Sequence, residues 1–300
     1  MEEIARDLAV VPTALVNAYL VGDAKSWVLV DSGTPGNASK IKEAAEARFG
    51  PGARPRAIVL THGHFDHAGS AKDLADIWGV SIYAHRLEHP YLTGKSAYPP
   101  LDPTAPGFFS MLARFFPSRT MNVGERLAEL PSNLSEVGLG DWEAINAPGH
   151  TPGHVSFFRR SDHTLLVGDA FTTVNMDNAL DLISKRQEVN RPPTPGTSDW
   201  QQARKSVESL AALRPSVLAA GHGVPMSGAL DQLIELARNF PFPEHGRYVK
   251  EGARADENGI TYLPPAPVDR VPKVTIGVAA GVLLAGLGAL LLKKYAQKSA

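Results

Sequence analysis

The segment Thr61-His62-Gly63-His64-Phe65-Asp66-His67 gathers four potential metal ligands within six residues, directly after the apolar run Ala57-Ile58-Val59-Leu60. Such a run reads as a buried strand, so the ligands stand at its C-terminal end, where open α/β sheets carry their chemistry. Residues two apart in an extended chain point the same way, so His62 and His64 reach one ion together. Asp66 and His67, a step further along a turning loop, face a second position. A lone histidine usually has a structural explanation; four ligands at this spacing leave that explanation little room.

A metal centre needs more ligands, and three later segments supply them. Ala147-Pro148-Gly149-His150-Thr151-Pro152-Gly153-His154 follows the strand-like Trp142-Glu143-Ala144-Ile145-Asn146, and its prolines and glycines hold side chains at fixed angles. Thr164-Leu165-Leu166-Val167-Gly168-Asp169 is a buried strand that ends in a carboxylate. Ser216-Val217-Leu218-Ala219-Ala220-Gly221-His222 repeats the pattern with a histidine. In each place an apolar strand stops at a metal ligand, which is how a centre is assembled along one edge of a sheet.

These residues resemble the metallo-β-lactamase superfamily, over roughly residues 10 to 240. The family pattern His-x-His-x-Asp-His appears as His62, His64, Asp66 and His67, and its three later ligand positions match His150, Asp169 and His222. The resemblance implies that His62, His64 and His150 hold one metal, that Asp66, His67 and His222 hold the other, and that Asp169 bridges them. It also implies that Asp31, after Val28-Leu29-Val30, braces the loop near the site, and that His154 stands just outside the ligands.

Five imidazoles and two carboxylates without cysteine suit two divalent ions, zinc first, with iron or manganese as alternatives. Two ions about 3.5–4 Å apart share a hydroxide, because coordination lowers the pKa of water from 15.7 toward about 7. No serine or cysteine nucleophile is then needed, and Asp66 is a candidate proton acceptor as well as a ligand. The expected activity is hydrolysis of an ester, thioester or lactone, similar to glyoxalase II and the acyl-homoserine lactonases. The competing readings are an iron-dependent persulfide dioxygenase, a phosphodiesterase or nuclease, and a non-catalytic membrane-tethered binding protein.

Strands alternate with helical stretches at Asn37 to Phe49, Ala68 to Trp78, Asp199 to Leu213 and Ser227 to Phe240, which indicates an α/β protein. With the ligand pattern this implies the family's four-layer αββα sandwich, in a catalytic domain over residues 1–262. Within it, residues 85–123 form a proline-rich insert. Phe108, Met111, Leu112 and Phe115 share one helix face, and Phe109 and Phe116 widen it. The insert is either a cap on the sandwich or an apolar lid selecting an acylated substrate. His85 is a candidate supporting residue; His89, His163 and His245 receive no role.

Residues 263–273 read as a proline-rich linker, 274–292 as a transmembrane helix and 293–300 as a short basic tail. The span carries nineteen consecutive uncharged residues, and nineteen helical residues cover roughly 28 Å, close to the roughly 30 Å of a hydrocarbon core. The expectation is a single-pass, C-terminally anchored protein with a cytoplasmic catalytic domain beside the lipid bilayer. Gly277, Gly281, Ala285 and Ala289 recur every four residues, a stripe suited to a homodimer through the membrane. From Lys273 onward there are four lysines and no acids, leaving the rest of the chain 26 bases against 31 acids, a net of −5. No basic stripe is evident, so nucleic acid is not the expected partner; a small molecule is.

Overall fold

The computed structural model describes residues 1–13, 16–116 and 120–269. Its strands form two large sheets and one separate antiparallel pair, Arg254–Asp256 with Gly259–Tyr262. The first has seven strands in sequential order: β1 (Glu2–Ala5), β2 (Leu8–Pro12), β3 (Asn17–Gly22), β4 (Trp27–Val30), β5 (Ile58–Val59), β6 (Ile82–Ala84) and β7 (Leu127–Glu129). The pairs from β1 to β4 are antiparallel and those from β4 to β7 parallel. The second sheet comprises β8 (Trp142–Asn146), β9 (Val155–Arg159), β10 (Thr164–Gly168), β11 (Val217–Ala220) and β12 (Met226–Ser227), ordered β12-β11-β10-β9-β8.

Strands buried on both faces are apolar throughout rather than alternating, and period-two geometry sorts their residues into layers. Leu20, Leu29, Ile58 and Ile82 face the helices α1 (Ala38–Phe49) and α3 (Ala71–Trp78), the latter preceded by a single turn, α2 (Phe65–Ala68). Ile41 and Ala45 of α1, and Leu74, Ala75 and Trp78 of α3, complete that layer. Tyr19, Val21, Val28, Val30 and Val59 point the other way and pack on Val155, Phe157, Leu166 and Ala219 of the second sheet. The far side of that sheet presents Phe158, Leu165 and Leu218 to Trp200, Val207 and Leu210 of the helix Trp200–Ala212 and to Leu233 of the helix Leu230–Arg238. Helix, sheet, sheet and helix therefore stack in the expected four layers.

The sheets are also tied by polar contacts at the edge that carries the candidate ligands. The Val155 N–H donates to Thr61 O at 2.9 Å, and the Asn17 N–H donates to Gly221 O at 2.8 Å. Asn17 Nδ2 and the Tyr19 hydroxyl both reach Ala220 O. These bonds fix the end of β11 against β3, one residue before His222.

The expected membrane localisation is corrected. Among the described residues no helix is long and apolar enough to cross a bilayer. The longest described helix, Trp200–Ala212, has 13 residues, roughly 20 Å against the roughly 30 Å required, and one face of it is charged. The expected span 274–292, the small-residue stripe within it and the basic tail lie outside the described residues. The anchored, bilayer-facing placement of the catalytic domain, and its assignment to the cytoplasm, accordingly have no structural support.

Candidate metal centre

Asp31 organises the site. It follows β4 in a left-handed conformation, φ 58°, and its carboxylate accepts from the Thr61 N–H at 2.8 Å, the Thr61 hydroxyl at 2.8 Å and His67 Nδ1 at 2.8 Å. Because the Thr61 hydroxyl spends its hydrogen on Asp31, it accepts from His62 Nδ1, 3.1 Å away. The same count applies at His150, whose Nδ1 is 3.2 Å from a Thr197 hydroxyl that donates to Pro193 O at 2.8 Å. In three imidazoles a proton thus sits on Nδ1 and Nε2 is the atom turned inward.

The inward atoms converge. His64 Nδ1 stands 3.1 Å from His62 Nε2 and 2.9 Å from His150 Nε2. A second trio, Asp66, His67 and His222, brings its ligand atoms within 4.8 Å of one another. Asp169 lies between the trios: one carboxylate oxygen is 3.3 Å from His67 Nε2, the other 3.5 Å from His150 Nε2 and 3.1 Å from His222 Nε2. All seven residues named from the sequence meet at one sheet edge, at the C-terminal ends of β5, β10 and β11 and in the loop after β8. His154 stands outside both trios, its Nε2 accepting the Asp169 N–H at 2.8 Å.

Donor chemistry fits metal ions. Ligands around zinc at about 2.0–2.1 Å in tetrahedral array are themselves about 3.3 Å apart, close to the spacing of the first trio. His67 Nε2 and Asp169 Oδ1 are buried and face each other at 3.3 Å, with no other hydrogen-bond partner. Burial pulls His62 and His150 well below the ordinary imidazole value and His64 down to about 4, so these nitrogens are unprotonated donors at neutral pH. Burial acts the same way on His67 and His222, but the neighbouring carboxylates, Asp169 with Asp31 for His67 and Asp169 with Asp66 for His222, together outweigh it and raise both. In the metal-free protein their protons balance the carboxylates, and ion binding releases them. The backbone also makes room: a Cβ at Gly221 would lie 2.3 Å from Asp169 Oδ1.

One side chain central to this architecture gave no signal in the ligand pattern. Glu88 is fully buried and accepts from Gly63 N, Tyr98 Oη, Thr151 Oγ1 and Gly153 N. Burial pushes its carboxyl above the usual value, with these hydrogen bonds pulling against it. It sits four residues past the end of β6, so the rule that polar residues following apolar strands matter would have reached it. His85 caps the turn Arg86–Glu88 through its ring, while His163 and His245 are exposed.

The insert lies against the site. Phe108, Phe109, Met111 and Leu112 are half-buried, whereas Phe115 and Phe116 are 49% and 43% exposed. The Phe116 ring stacks at 6.2 Å on Phe65, the residue between His64 and Asp66. The Asp102 N–H donates to Pro195 O, next to Gly196, where an added Cβ would sit 3.1 Å from His150 Cε1.

A helix–sheet–sheet–helix sandwich with seven histidines and aspartates collected at its sheet edge defines an α/β metalloprotein class. The chain belongs to the metallo-beta-lactamase superfamily, whose family model matches residues 11–222. It is 38% identical over 244 residues to the probable metallo-hydrolase YflN of Bacillus subtilis, covering 79% of this chain and 92% of that one. It is 27% identical over 148 residues to the hydroxyacylglutathione hydrolase GloC of Haemophilus influenzae, covering 49% and 62% of the two chains. Among solved structures, TTHA1623 in a di-iron-bound form shares the fold at 24% identity and TM-score 0.51, covering 78% of this chain and 98% of that one. The protein is thus a metallo-hydrolase in the broad sense.

Proposed function

We propose that the protein is a two-metal hydrolase of esters, thioesters or lactones whose acyl portion is apolar. The observation that carries this reading is the pair of converging trios with Asp169 between them. In it, His62, His64 and His150 would hold one ion and Asp66, His67 and His222 the other, with Asp169 available to both. Two bound divalent ions would supply Lewis-acid polarisation of the substrate carbonyl and a water acidified toward about pH 7. Zinc is the favoured metal for this donor set; the di-iron form of the structural neighbour supports iron as the alternative.

The chain's own residues provide the rest. Asp31 and Thr61 hold the imidazoles of His67 and His62 in the inward-facing tautomer. Asp66 is more exposed than Asp169, so it is the carboxylate placed to pass a proton to solvent. Phe65 and Phe116 offer the substrate's acyl portion a stacked aromatic surface beside the ligands. Relatedness to a hydroxyacylglutathione hydrolase supports the thioester member of the class.

The test uses the full-length protein, its metal content measured and its activity assayed on ester, thioester, lactone and phosphodiester substrates. Wild type is expected to hold two ions and to act on the acyl substrates. Asp169→Ala is expected to lower kcat by more than the roughly 10–100-fold typical of losing a ligand's supporting partner. A metal-free protein with undiminished activity would overturn the reading.

A further inference from the structure

Asp31 braces His67 directly and His62 through Thr61, and a second buried carboxylate, Glu88, stands on the side of the first trio. Glu88 Oε2 takes the Gly63 N–H at 2.9 Å together with the Tyr98 hydroxyl, and Oε1 takes the Thr151 hydroxyl at 2.9 Å and the Gly153 N–H at 2.7 Å. Gly63 is the residue between His62 and His64, and Thr151 directly follows His150. The carboxylate therefore joins the two loops that carry the first trio, and none of its four bonds reaches the loop of His222. Two donors on each oxygen are the full complement of an ionised carboxylate. The fit is close: a Cβ at Gly63 would lie 2.5 Å from the Tyr98 hydroxyl, and one at Gly153 would lie 2.8 Å from Glu88 Oε1. Tyr98 adds a wall, its ring edge-on to His64 at 4.5 Å and stacked on Tyr91 at 4.0 Å.

We infer that Glu88 is the positioning residue for one metal position of the pair, clamping the His62–His64 loop to the His150 loop, whereas Asp31 supports both positions, touching His67 directly and His62 through Thr61. The inference rests on the two-metal reading above. It makes the two positions separable: loss of the Glu88 clamp should weaken one and spare the other.

Glutamine is the informative replacement because it keeps the size of the side chain and removes one acceptor. An amide has a single oxygen, so whichever way it turns, either Gly63 N–H or Gly153 N–H faces another N–H group. Neither backbone donor can reverse its polarity, so one loop loses its bond to this side chain, and the Gly63 N–H then keeps only the Tyr98 hydroxyl, 2.9 Å away, if the amide nitrogen turns toward it. Supporting partners of metal ligands are worth roughly 10–100-fold in metal affinity.

The experiment strips full-length wild type and Glu88→Gln of metal and titrates both with zinc against a chromophoric chelator. A parallel titration with cobalt follows the visible absorption of each bound ion. Wild type is expected to fill two positions, and Glu88→Gln to show one step weakened roughly 10–100-fold with the other unchanged. Thr151→Val, which removes a single one of the four bonds and leaves the carboxylate in place, is expected to weaken the same step by a smaller factor, and it serves if Glu88→Gln does not fold. Two unchanged steps in the folded variants, or equal weakening of both, would overturn the inference while leaving the two-metal reading intact. A wild type that takes up no metal would overturn both.

Discussion

At Gly221 the backbone passes so near the candidate ligands that a methyl group would lie 2.3 Å from Asp169 Oδ1 and 2.6 Å from His67 Cε1. No side chain other than hydrogen fits there without displacing a ligand. Gly221→Ala should therefore cost at least tenfold in metal affinity, in line with the roughly 10–100-fold of disturbed ligand support, with thermal stability of the metal-free protein little changed. Chelator competition alongside calorimetry checks this; equal losses in both would point to global destabilisation. The seven ligand candidates were readable in the sequence because ligand chemistry resides in residue type and strand-end position. The position of Glu88 after β6 could be flagged in the sequence, but its partners, like those of Thr197, could not, because they lie on chain segments brought together by the fold: Glu88 meets donors 25, 63 and 65 residues away. Spacing along the chain does not encode such approaches.

Among the elements, strands were more readable than helix ends. β4, β5, β10 and β11 coincide with apolar runs visible in the sequence, since burial on both faces demands continuous apolar character. The helix expected from Ala68 begins at Ala71, because residues 65–68 form a separate turn that carries Asp66 and His67 into the site. The lid residues divide in a way that amphipathic periodicity did not foresee: Phe108, Phe109, Met111 and Leu112 pack inward in part, and Phe116 reaches Phe65. If this pair binds the acyl group, Phe65→Ala with Phe116→Ala should raise KM for long-chain acyl esters at least fivefold, on the scale of the 1–3 kcal/mol of a buried large apolar contact, and leave short-chain KM nearly unchanged. Equal effects on both chain lengths would assign the pair to packing alone.

The whole molecule is held by layers that the sequence predicted and by polar ties that it did not. One such tie lies at the end of the sandwich away from the metals. Arg159, almost fully buried against the Trp142 ring, donates to Asp162 at 2.9 Å and 2.6 Å and to Arg6 O at 2.8 Å. Burial alone would raise the Asp162 carboxyl, yet hydrogen bonds from Arg159 and Thr164 hold it below its ordinary value. A depressed folded-state pKa gives stabilisation that is complete above the unfolded-state value, about 3.9, and that disappears as pH falls through the folded-state value. Asp162→Asn should lower stability by roughly 1–2 kcal/mol at neutral pH and make it less sensitive to acid below about pH 4. Denaturant melts of both proteins across pH 2 to 7, run near those limits, decide the point; parallel curves would show that the pair does not titrate with folding.

The edge where the two sheets meet also sets the order in which a newly made chain acquires its metals. His62 to His67 leave the ribosome with the first sheet, but their partners His150, Asp169 and His222 belong to the second. Domains generally fold as units as synthesis proceeds, so neither trio is complete until its own last member is made, His150 for one and His222 for the other. Metal capture is therefore a late event in the biosynthesis of this protein, one that reports the closing of the sandwich rather than guiding its beginning.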